Sequence, residues 1–500
     1  MGIIAKQGIR GTIATYIGVA VGFVTTFFVL TRFLTTEEIG LARVLIDAAT
    51  LFVGLAQLGT STSIIRFFPY FKDDRTNHGF FFWTILVPLV GFALFCLIYW
   101  LCATPLQHWF GDKSPLFVNY YYMVLPIAFF MLYQTVFETN ANVLMHIVVP
   151  RTVREVGVRV GLLVLYLLYA FRILSMDGFV IGVCVNYALA ALINLGYLFS
   201  LGRISLCPDL TFIRQNGELV RSYTLYTCFL IVAALTSVLA PTLSSFFITA
   251  QMGLNYTGIF AIATYMAVMV SIPSRSISAI AQPELSAAIK DNNRASICRL
   301  VSQASNNLLL VGGFILLLIW MNIDLIFHVL PNGATYAVAK QTVLLLGIGQ
   351  LIVTTFSIFI PLLNYSRYYA FSLLNSAVLT ASAIVFNNLL IPRYGMEGAA
   401  YATVIADVLY FALVVGISCA ALRVMPFTRR QLVTLALIVS LFLLNELWQL
   451  HLTIDNIWLD AILRTLVIVG AGSFIAYKAE LSPEINHTIT RNPSPVTRNP

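Results

Sequence analysis

Fourteen apolar stretches, each close to bilayer-spanning length, follow one another from residue 11 to residue 478 with short polar connections between them. A helix needs about 20 apolar residues to cross the hydrocarbon core. The predicted spans are 11–33, 41–65, 79–101, 117–139, 154–173, 179–200, 222–248, 256–281, 304–326, 339–363, 369–391, 397–422, 430–449 and 459–478. Because 59% of the 500 residues are hydrophobic and only 10% are charged, no sizeable soluble domain fits. The sequence predicts an all-α, polytopic membrane protein.

Lysine and arginine are distributed unequally between the two sides of this arrangement. If the chain starts inside, the inward segments hold 20 of the 29 basic residues, the outward segments hold 4, and the rest lie in or beside spans. Cytoplasmic loops of membrane proteins carry such an excess. The bias predicts an even number of spans and two cytoplasmic termini. It also explains the net charge of +8 without a nucleic-acid partner.

An internal repeat is indicated by sequence matches at a nearly constant offset. The matches are Gly40 with Gly258 and the Lys-Asp pairs at 72–73 and 290–291, each 218 residues apart, and Gly178 with Gly398, 220 apart. Two copies with an even number of spans both start inside, so the repeat is parallel, with its pseudo-two-fold axis along the membrane normal. The predicted domains are two six-helix bundles, 1–221 and 222–429, an appended helix pair, 430–481, and a disordered tail, 482–500. Paired bundles suit alternating access, which favours a transporter.

Ionisable residues at membrane depth are costly and usually face the interior of a bundle. Arg43 and Asp47 lie one helical turn apart in span 2, as a structural pair or as part of a substrate cavity. Asp460 and Arg464 have the same spacing in span 14, where a structural pair is favoured. Arg275 lies in the inner part of span 8 with no acidic residue at helical spacing. It either lines a cavity or extends its side chain to the cytoplasmic surface.

Five further residues complete the set of candidates. Arg32 and Lys340 lie at the outward ends of spans 1 and 10, as interfacial anchors or cavity residues. Arg159 lies about one turn inside span 5, where it lines the cavity or extends its side chain to the membrane surface. Glu138 and Asp407 are carboxylates within spans 4 and 12, as proton or cation relays or as partners of cavity arginines. Several cavity arginines would suit an anionic substrate, because guanidinium groups form paired hydrogen bonds to phosphate oxygens.

Two parts of the chain resemble the bacterial polysaccharide flippases of the Wzx type. Residues 34–40 (LTTEEIG), 57–60 (QLGT) and 64–69 (IIRFFP) resemble the first helical hairpin of that family, and residues 393–403 (RYGMEGAAYAT) its entrance to span 12. The family belongs to the multidrug/oligosaccharidyl-lipid/polysaccharide exporter superfamily, together with lipid II flippases and multidrug and toxin extrusion pumps. The resemblance covers nearly the whole chain in span count and repeat layout.

This resemblance implies translocation of an undecaprenyl-pyrophosphate-linked oligosaccharide across the bacterial inner membrane, for assembly of O-antigen, capsule or exopolysaccharide. The sugar would pass through a cationic cavity while the lipid tail stays in the bilayer. The implied partners are the lipid-linked oligosaccharide and membrane lipid, with a polysaccharide polymerase, glycosyltransferases and a coupling cation as further candidates. No cofactor is implied, and no group of cysteine and histidine has metal-ligand spacing.

The competing classes are a membrane-embedded enzyme and a drug exporter. Glu37 and Glu38, in the first outward loop, are similar to the acidic pair of polyprenyl-phosphate-dependent glycosyltransferases. A loop of about seven residues cannot enclose a donor and an acceptor, so this class, like a polysaccharide polymerase, is disfavoured. A multidrug pump of the same superfamily is disfavoured because the sequence has no cluster of carboxylates for cationic drugs.

Overall fold

The computed structural model describes residues 3–71, 77–202, 217–218, 221–223, 242–366, 368, 370–425, 428–452 and 456–482. For residues 3–12, 69, 275, 276, 279, 280, 283 and 290 it describes the backbone alone. Throughout these ranges the regular structure is helical, and they contain no strand. The predicted tail beyond Ser482, most of the loop at 201–221 and most of predicted span 7 lie outside the described residues. The chain forms two compact units, Met1–Ala261 and Ile262–Pro500.

The helices of the first unit alternate between long apolar segments and short connecting turns. They are α1 (Ile3–Val24), α2 (Thr31–Phe33), α3 (Thr36–Ala56), α4 (Thr60–Phe71), α5 (Phe80–Leu101), α6 (Ala103–Gly111), α7 (Pro115–Asn119), α8 (Val124–Val143), α9 (Val148–Thr152), α10 (Val158–Ala170), α11 (Met176–Ser200) and the start of α12 (Leu254–Val268). Residues 242–251 are also helical. Two π-helical segments, Thr25–Leu30 and Val153–Gly157, connect α1 to α2 and α9 to α10.

The second unit continues from α12 with nine further helices in its described residues. They are α13 (Ile272–Lys290), α14 (Arg294–Met321), α15 (Ile323–Val329), α16 (Gly333–Ala337), α17 (Lys340–Phe356), α18 (Phe359–Tyr365), α19 (Phe371–Leu422), α20 (Arg429–His451) and α21 (Ile457–Lys478). The last two pack on α14. There the Asn306 amide donates to the Leu481 carbonyl over 2.6 Å, and Thr434 donates to Asn306 over 2.9 Å.

The described residues contain 10 helices long and apolar enough to cross a membrane, by length and composition. The pair α17 and α18, bent by 42°, adds one more if it forms a single span. The all-α multispanning class is therefore confirmed. The number fourteen remains a prediction, because span 7 falls largely outside the described residues and span 5 combines a π-helical segment with the 13-residue α10.

The predicted bounds of span 2, residues 41–65, are wrong. Its helix, α3, begins at Thr36 because Thr35 and Glu38 form a capping box, in which the Thr35 amide donates to the Glu38 carboxylate over 2.8 Å. Such a box satisfies backbone N–H groups that the first helical turn leaves without partners. The helix ends at Ala56, because Leu58 and Gly59 adopt positive φ angles of 48° and 70°.

Predicted spans 11 and 12 lie in one helical segment, α19, which is 52 residues long. A straight helix of that length would measure about 78 Å, more than twice the hydrocarbon thickness. Gly395 interrupts it with a φ of 58° and a ψ of −134°, a conformation open to glycine. A Cβ on Gly398 would overlap the Leu390 carbonyl oxygen, so the chain folds back at this point and forms two helices.

The order of elements repeats along the chain. In the first unit the long helix α5 is followed by the short α6 and α7 and then by the long α8. In the second unit the long α14 is followed by the short α15 and α16 and then by α17. The long helices end at Leu101 and Met321, 220 residues apart, the offset of the sequence matches. This order is the one expected of two copies of one bundle, while the parallel orientation of the copies remains a prediction.

The topology can be tested with single cysteines at two exposed turn positions. Asp112 lies between α6 and α7, on the predicted outward side, and Asn292 lies between α13 and α14, on the predicted inward side. In a cysteine-free background, needed because native Cys102 is exposed, an impermeant maleimide should label Asp112→Cys in intact cells. It should label Asn292→Cys only after the cells are opened. Labelling of Asn292→Cys in intact cells would contradict the predicted orientation.

Candidate functional site

Four ionisable side chains of the first unit form a chain of alternating charge. Arg154 lies 3.0 Å from Glu138 through Nη1 and Oε1, and 3.1 Å from Glu155 through Nη2 and Oε1. The other oxygen of Glu155 lies 3.1 Å from Arg159 Nη2. Glu138 comes from α8, while the other three come from the π-helical segment and the start of α10. We call these four residues the arginine–glutamate chain.

The π-helical segment Val153–Gly157 and helix α1 position the arginine–glutamate chain. A π segment inserts an extra residue into a helical turn and often occurs at functional sites. A Cβ on Gly18 would overlap the carbonyl oxygen of Glu155, so only glycine allows α1 to approach so closely. Arg151 also contacts α1, because its Nε donates to Thr15 Oγ1 over 3.3 Å. Arg159 Nη1 would lie 3.5 Å from a Cβ on Gly22.

The two signs of charge differ in burial. The side chains of Glu138 and Glu155 are 7% and 11% exposed, whereas those of Arg154 and Arg159 are 47% and 32% exposed. The carboxylates therefore hold the guanidinium groups from the buried side. A guanidinium carries five N–H donors, more than these bonds use, so donors remain on the exposed side. The arrangement can bind an anion such as a phosphate group.

The sequence identified only part of the arginine–glutamate chain. It singled out Glu138 and Arg159 as separate candidates, and the structure gives each an ion-pair partner. It did not single out Arg154, which it counted with the basic residues of the inward side at the edge of span 5, or Glu155. The spacing of Glu155 and Arg159, four residues apart, was a usable signal. The contact between Glu138 and Arg154 joins two helices, and no local spacing predicts it.

Both predicted pairs at i,i+4 spacing form. Arg43 Nε lies 2.8 Å from Asp47 Oδ2, and Asp47 is buried. Arg464 Nη2 lies 3.3 Å from Asp460 Oδ2 and donates to the carbonyl of Met321 over 2.5 Å. The second pair therefore also joins α21 to α14, as a structural role requires. For the first pair, a part in substrate binding stays a prediction.

The two predicted anchors lie at helix ends beside aromatic rings. Arg32 is exposed, and its guanidinium carbon lies 5.6 Å from the centroid of Phe33. Lys340 Nζ lies 2.8 Å from Asp324 Oδ1 and 5.5 Å from the centroid of the Trp320 ring. Basic and aromatic side chains with this placement are typical of membrane interfaces.

The last two candidates are Arg275 and Asp407. The Arg275 side chain lies outside the described residues, so its predicted role stays a prediction. Asp407 lies on the second helix of α19 beside Gly349, where a Cβ would be 3.6 Å from Asp407 Oδ2. Among the described residues no side chain forms an ion pair with Asp407. In the same ranges no group of three or more His, Cys, Asp or Glu side chains could hold a metal ion.

Comparison with known families identifies the chain. The family model described as "Polysaccharide biosynthesis protein" matches residues 4–288, more than half of the 500 residues. The chain belongs to this polysaccharide biosynthesis family. The resemblance recognised in the sequence is confirmed at the level of the exporter superfamily, while the Wzx type remains a prediction. A search of curated proteins found no significant match.

Solved structures with the same fold are flippases and exporters. The lipid II flippase MurJ in an inward closed conformation has a TM-score of 0.72 and 13% identity, over 94% of this chain and 99% of its own. An inward-facing MATE-family multidrug resistance transporter has a TM-score of 0.62 and 14% identity, over 84% and 98%. A mutant of the Vibrio cholerae MATE transporter VcmN has a TM-score of 0.58 and 16% identity, over 84% and 97%. At these identities the likeness establishes the fold of this family member.

Removing one carboxylate tests whether the arginine–glutamate chain stabilises the first unit. Glu155→Gln leaves Arg154 and Arg159 without their shared partner. It should lower the free energy of unfolding by about 2 kcal/mol. This is less than the cost of removing one partner of a fully buried ion pair, because the arginines are partly exposed. The midpoint of thermal unfolding in detergent measures it. The control is Glu284→Gln, an exposed site in α13, which should leave the midpoint unchanged. Equal midpoints for both variants would show that the arginine–glutamate chain does not stabilise the first unit.

Proposed function

We propose that this protein is a flippase that moves an undecaprenyl-pyrophosphate-linked oligosaccharide from the cytoplasmic to the outer leaflet, by alternating access. The observation that carries the proposal is the combination of a polysaccharide biosynthesis family match with a MurJ-like fold along 94% of the chain. The membrane would be the bacterial inner membrane, with both termini in the cytoplasm. The product would serve O-antigen, capsule or exopolysaccharide assembly. In this proposal the chain transports its substrate and does not modify it.

The arginine–glutamate chain supplies chemistry that fits such a substrate. A pyrophosphate group carries negative charge on its non-bridging oxygens, and the planar guanidinium fork can bind two of them with parallel hydrogen bonds. Arg154 is held by two buried carboxylates, so its orientation is fixed before an anion arrives. Because those carboxylates partly neutralise it, the contact is moderate in strength. A transporter needs such a contact, since the substrate must also leave.

Drug export is the second candidate, supported by the MATE neighbours. A pump for cationic drugs needs carboxylates that are free to bind a cation. Glu138, Glu155 and Asp47 are each paired with an arginine. Asp407 is the one carboxylate among the candidates for which the described residues provide no such partner. This distribution of charge favours an anionic substrate over a cationic drug.

The anion contact predicts a graded series at Arg154. Compared at equal membrane abundance, Arg154→Ala should abolish surface polysaccharide, and Arg154→Lys should restore only part of it because an ammonium lacks the planar fork. Immunoblotting of surface polysaccharide and of the membrane fraction measures both quantities. Arg172→Ala, at an exposed turn on the predicted outward side, is the control and should export normally. Normal polysaccharide in Arg154→Ala would remove this residue from the substrate path.

Arg275 retains its predicted role as a second cationic contact. The same export assay applies to Arg275→Ala and Arg275→Lys. Loss in the first and partial recovery in the second support a contact with the pyrophosphate or an acidic sugar. Normal export from Arg275→Ala would make this side chain an anchor at the cytoplasmic surface.

Asp407 is the proposed coupling residue, because an ionisable group within a span that lacks an ion-pair partner among the described residues is usually functional. Asp407→Asn keeps the size of the side chain and removes its charge. The variant should fold normally and should lose the dependence of transport on an imposed proton or sodium gradient. Transport driven by each gradient in vesicles measures this. Asp324→Asn, on the short helix α15, is the control. Unchanged gradient dependence in Asp407→Asn would exclude the coupling role.

A further inference from the structure

Helices α3 and α12 meet through two glycines of the first unit. A Cβ on Gly40 would overlap the carbonyl oxygen of Leu254, and a Cβ on Gly258 would overlap the carbonyl oxygen of Thr36. Each of these Cβ positions also lies 3.1 Å from the backbone nitrogen of the opposite glycine. The two helices therefore touch backbone to backbone. We call this contact the glycine crossing.

The crossing is reciprocal. Each glycine faces the carbonyl that lies four residues before the other glycine, since Thr36 precedes Gly40 by four and Leu254 precedes Gly258 by four. The glycines are also one of the sequence matches at the 218-residue offset. Equivalent residues of two parallel copies face each other only close to the axis that relates the copies. The crossing is therefore the point at which the pseudo-two-fold axis of the predicted repeat would pass.

One side-chain hydrogen bond accompanies the crossing. Thr36 Oγ1 donates to Asn255 Oδ1 over 2.8 Å, and this bond is exposed. Beside it, Ser114 donates to the carbonyl of Thr249 over 2.6 Å. Separating the two helices would break no backbone hydrogen bond within either of them, and the glycines themselves have no side chain to expose.

A contact with these properties suits repeated breaking and formation. Small residues let two helix backbones approach closely. Helices that interlock through large side chains must repack in order to separate, whereas no side chain at the two glycines has to repack. The charge pattern predicts that the first turns of α3 and α12 lie at the outward side of the membrane. The crossing would then lie where a flippase must close while its substrate site faces the cytoplasm and open when the substrate leaves.

We propose that the glycine crossing is the reversible outer closing contact of the transport cycle. This inference rests on the proposed alternating access and names the residues that perform one of its steps. The closed state needs glycine at both positions, because any side chain there overlaps a backbone carbonyl. A larger residue at either position should shift the population towards the outwardly open state.

The test joins the two helices reversibly. In a cysteine-free background, Thr36→Cys and Asn255→Cys place two thiols where the native side chains are hydrogen-bonded. Mild oxidation should cross-link them, stop export of surface polysaccharide, and allow export to resume after reduction. Each single-cysteine variant is a control and should export before and after oxidation. Export that continues from fully cross-linked protein would overturn the proposal and leave the proposed function standing.

A second measurement requires no substrate. Gly40→Leu, added to the cysteine pair, should slow cross-linking by about tenfold or more because the closed state becomes rare. Gly196→Leu on α11 is the matched control, since a Cβ there meets no atom within 4 Å, and cross-linking should keep its rate. Equal rates in both variants at equal membrane abundance would overturn the proposal. A third outcome separates the two proposals. If Gly40→Leu slows cross-linking, but neither the reduced cysteine pair nor the unsubstituted protein exports polysaccharide, then the proposed function is wrong and the closing contact stands.

Discussion

The hydrocarbon core of a bilayer offers no hydrogen-bond partner, and this absence shapes every level of the structure. The backbone N–H and C=O groups must find hydrogen-bond partners within each spanning segment, and a bundle of helices meets this requirement for a chain this apolar. Hydroxyl groups follow the same rule. Thr25, Thr31 and Thr139 each donate to the carbonyl four residues earlier, over 2.8, 2.7 and 2.8 Å. Ionisable side chains within spans have no such intrahelical carbonyl partner and usually mark function.

Charge within the spans is organised by the same constraint. Buried carboxylates hold arginines, as Glu138 and Glu155 hold Arg154, so that the chain's own anions fix the cations in place. Burying an ion pair costs desolvation free energy, and the pair rarely adds stability over an apolar core. In the proposed function its value is that guanidinium groups with fixed orientation are ready for an anion. The glycine crossing is the converse case, in which helices meet without side chains, and we propose that they part there during transport.

Patterns that depend on local spacing or on length could be predicted from the sequence. Apolar runs predicted the helices, and i,i+4 spacing predicted Arg43 with Asp47. Bounds set by caps were missed, as at Thr35, because the cap lies outside the apolar run. Contacts between helices were also missed. Arg154 was not singled out, because its partner Glu138 is 16 residues away across a turn. Gly40 and Gly258 were recognised as a repeat match, yet no rule of spacing predicts that matched residues touch.

Transport by the purified chain tests the central claim most directly. The protein would be reconstituted into vesicles that carry a fluorescent oligosaccharide on undecaprenyl pyrophosphate, and an impermeant quencher would report movement between leaflets. The account predicts protein-dependent movement of this lipid, much slower movement of the same sugar on a neutral polyprenol, and no accumulation of a cationic dye. Movement of the dye without movement of the pyrophosphate-linked sugar would contradict the account and identify the protein as a drug exporter.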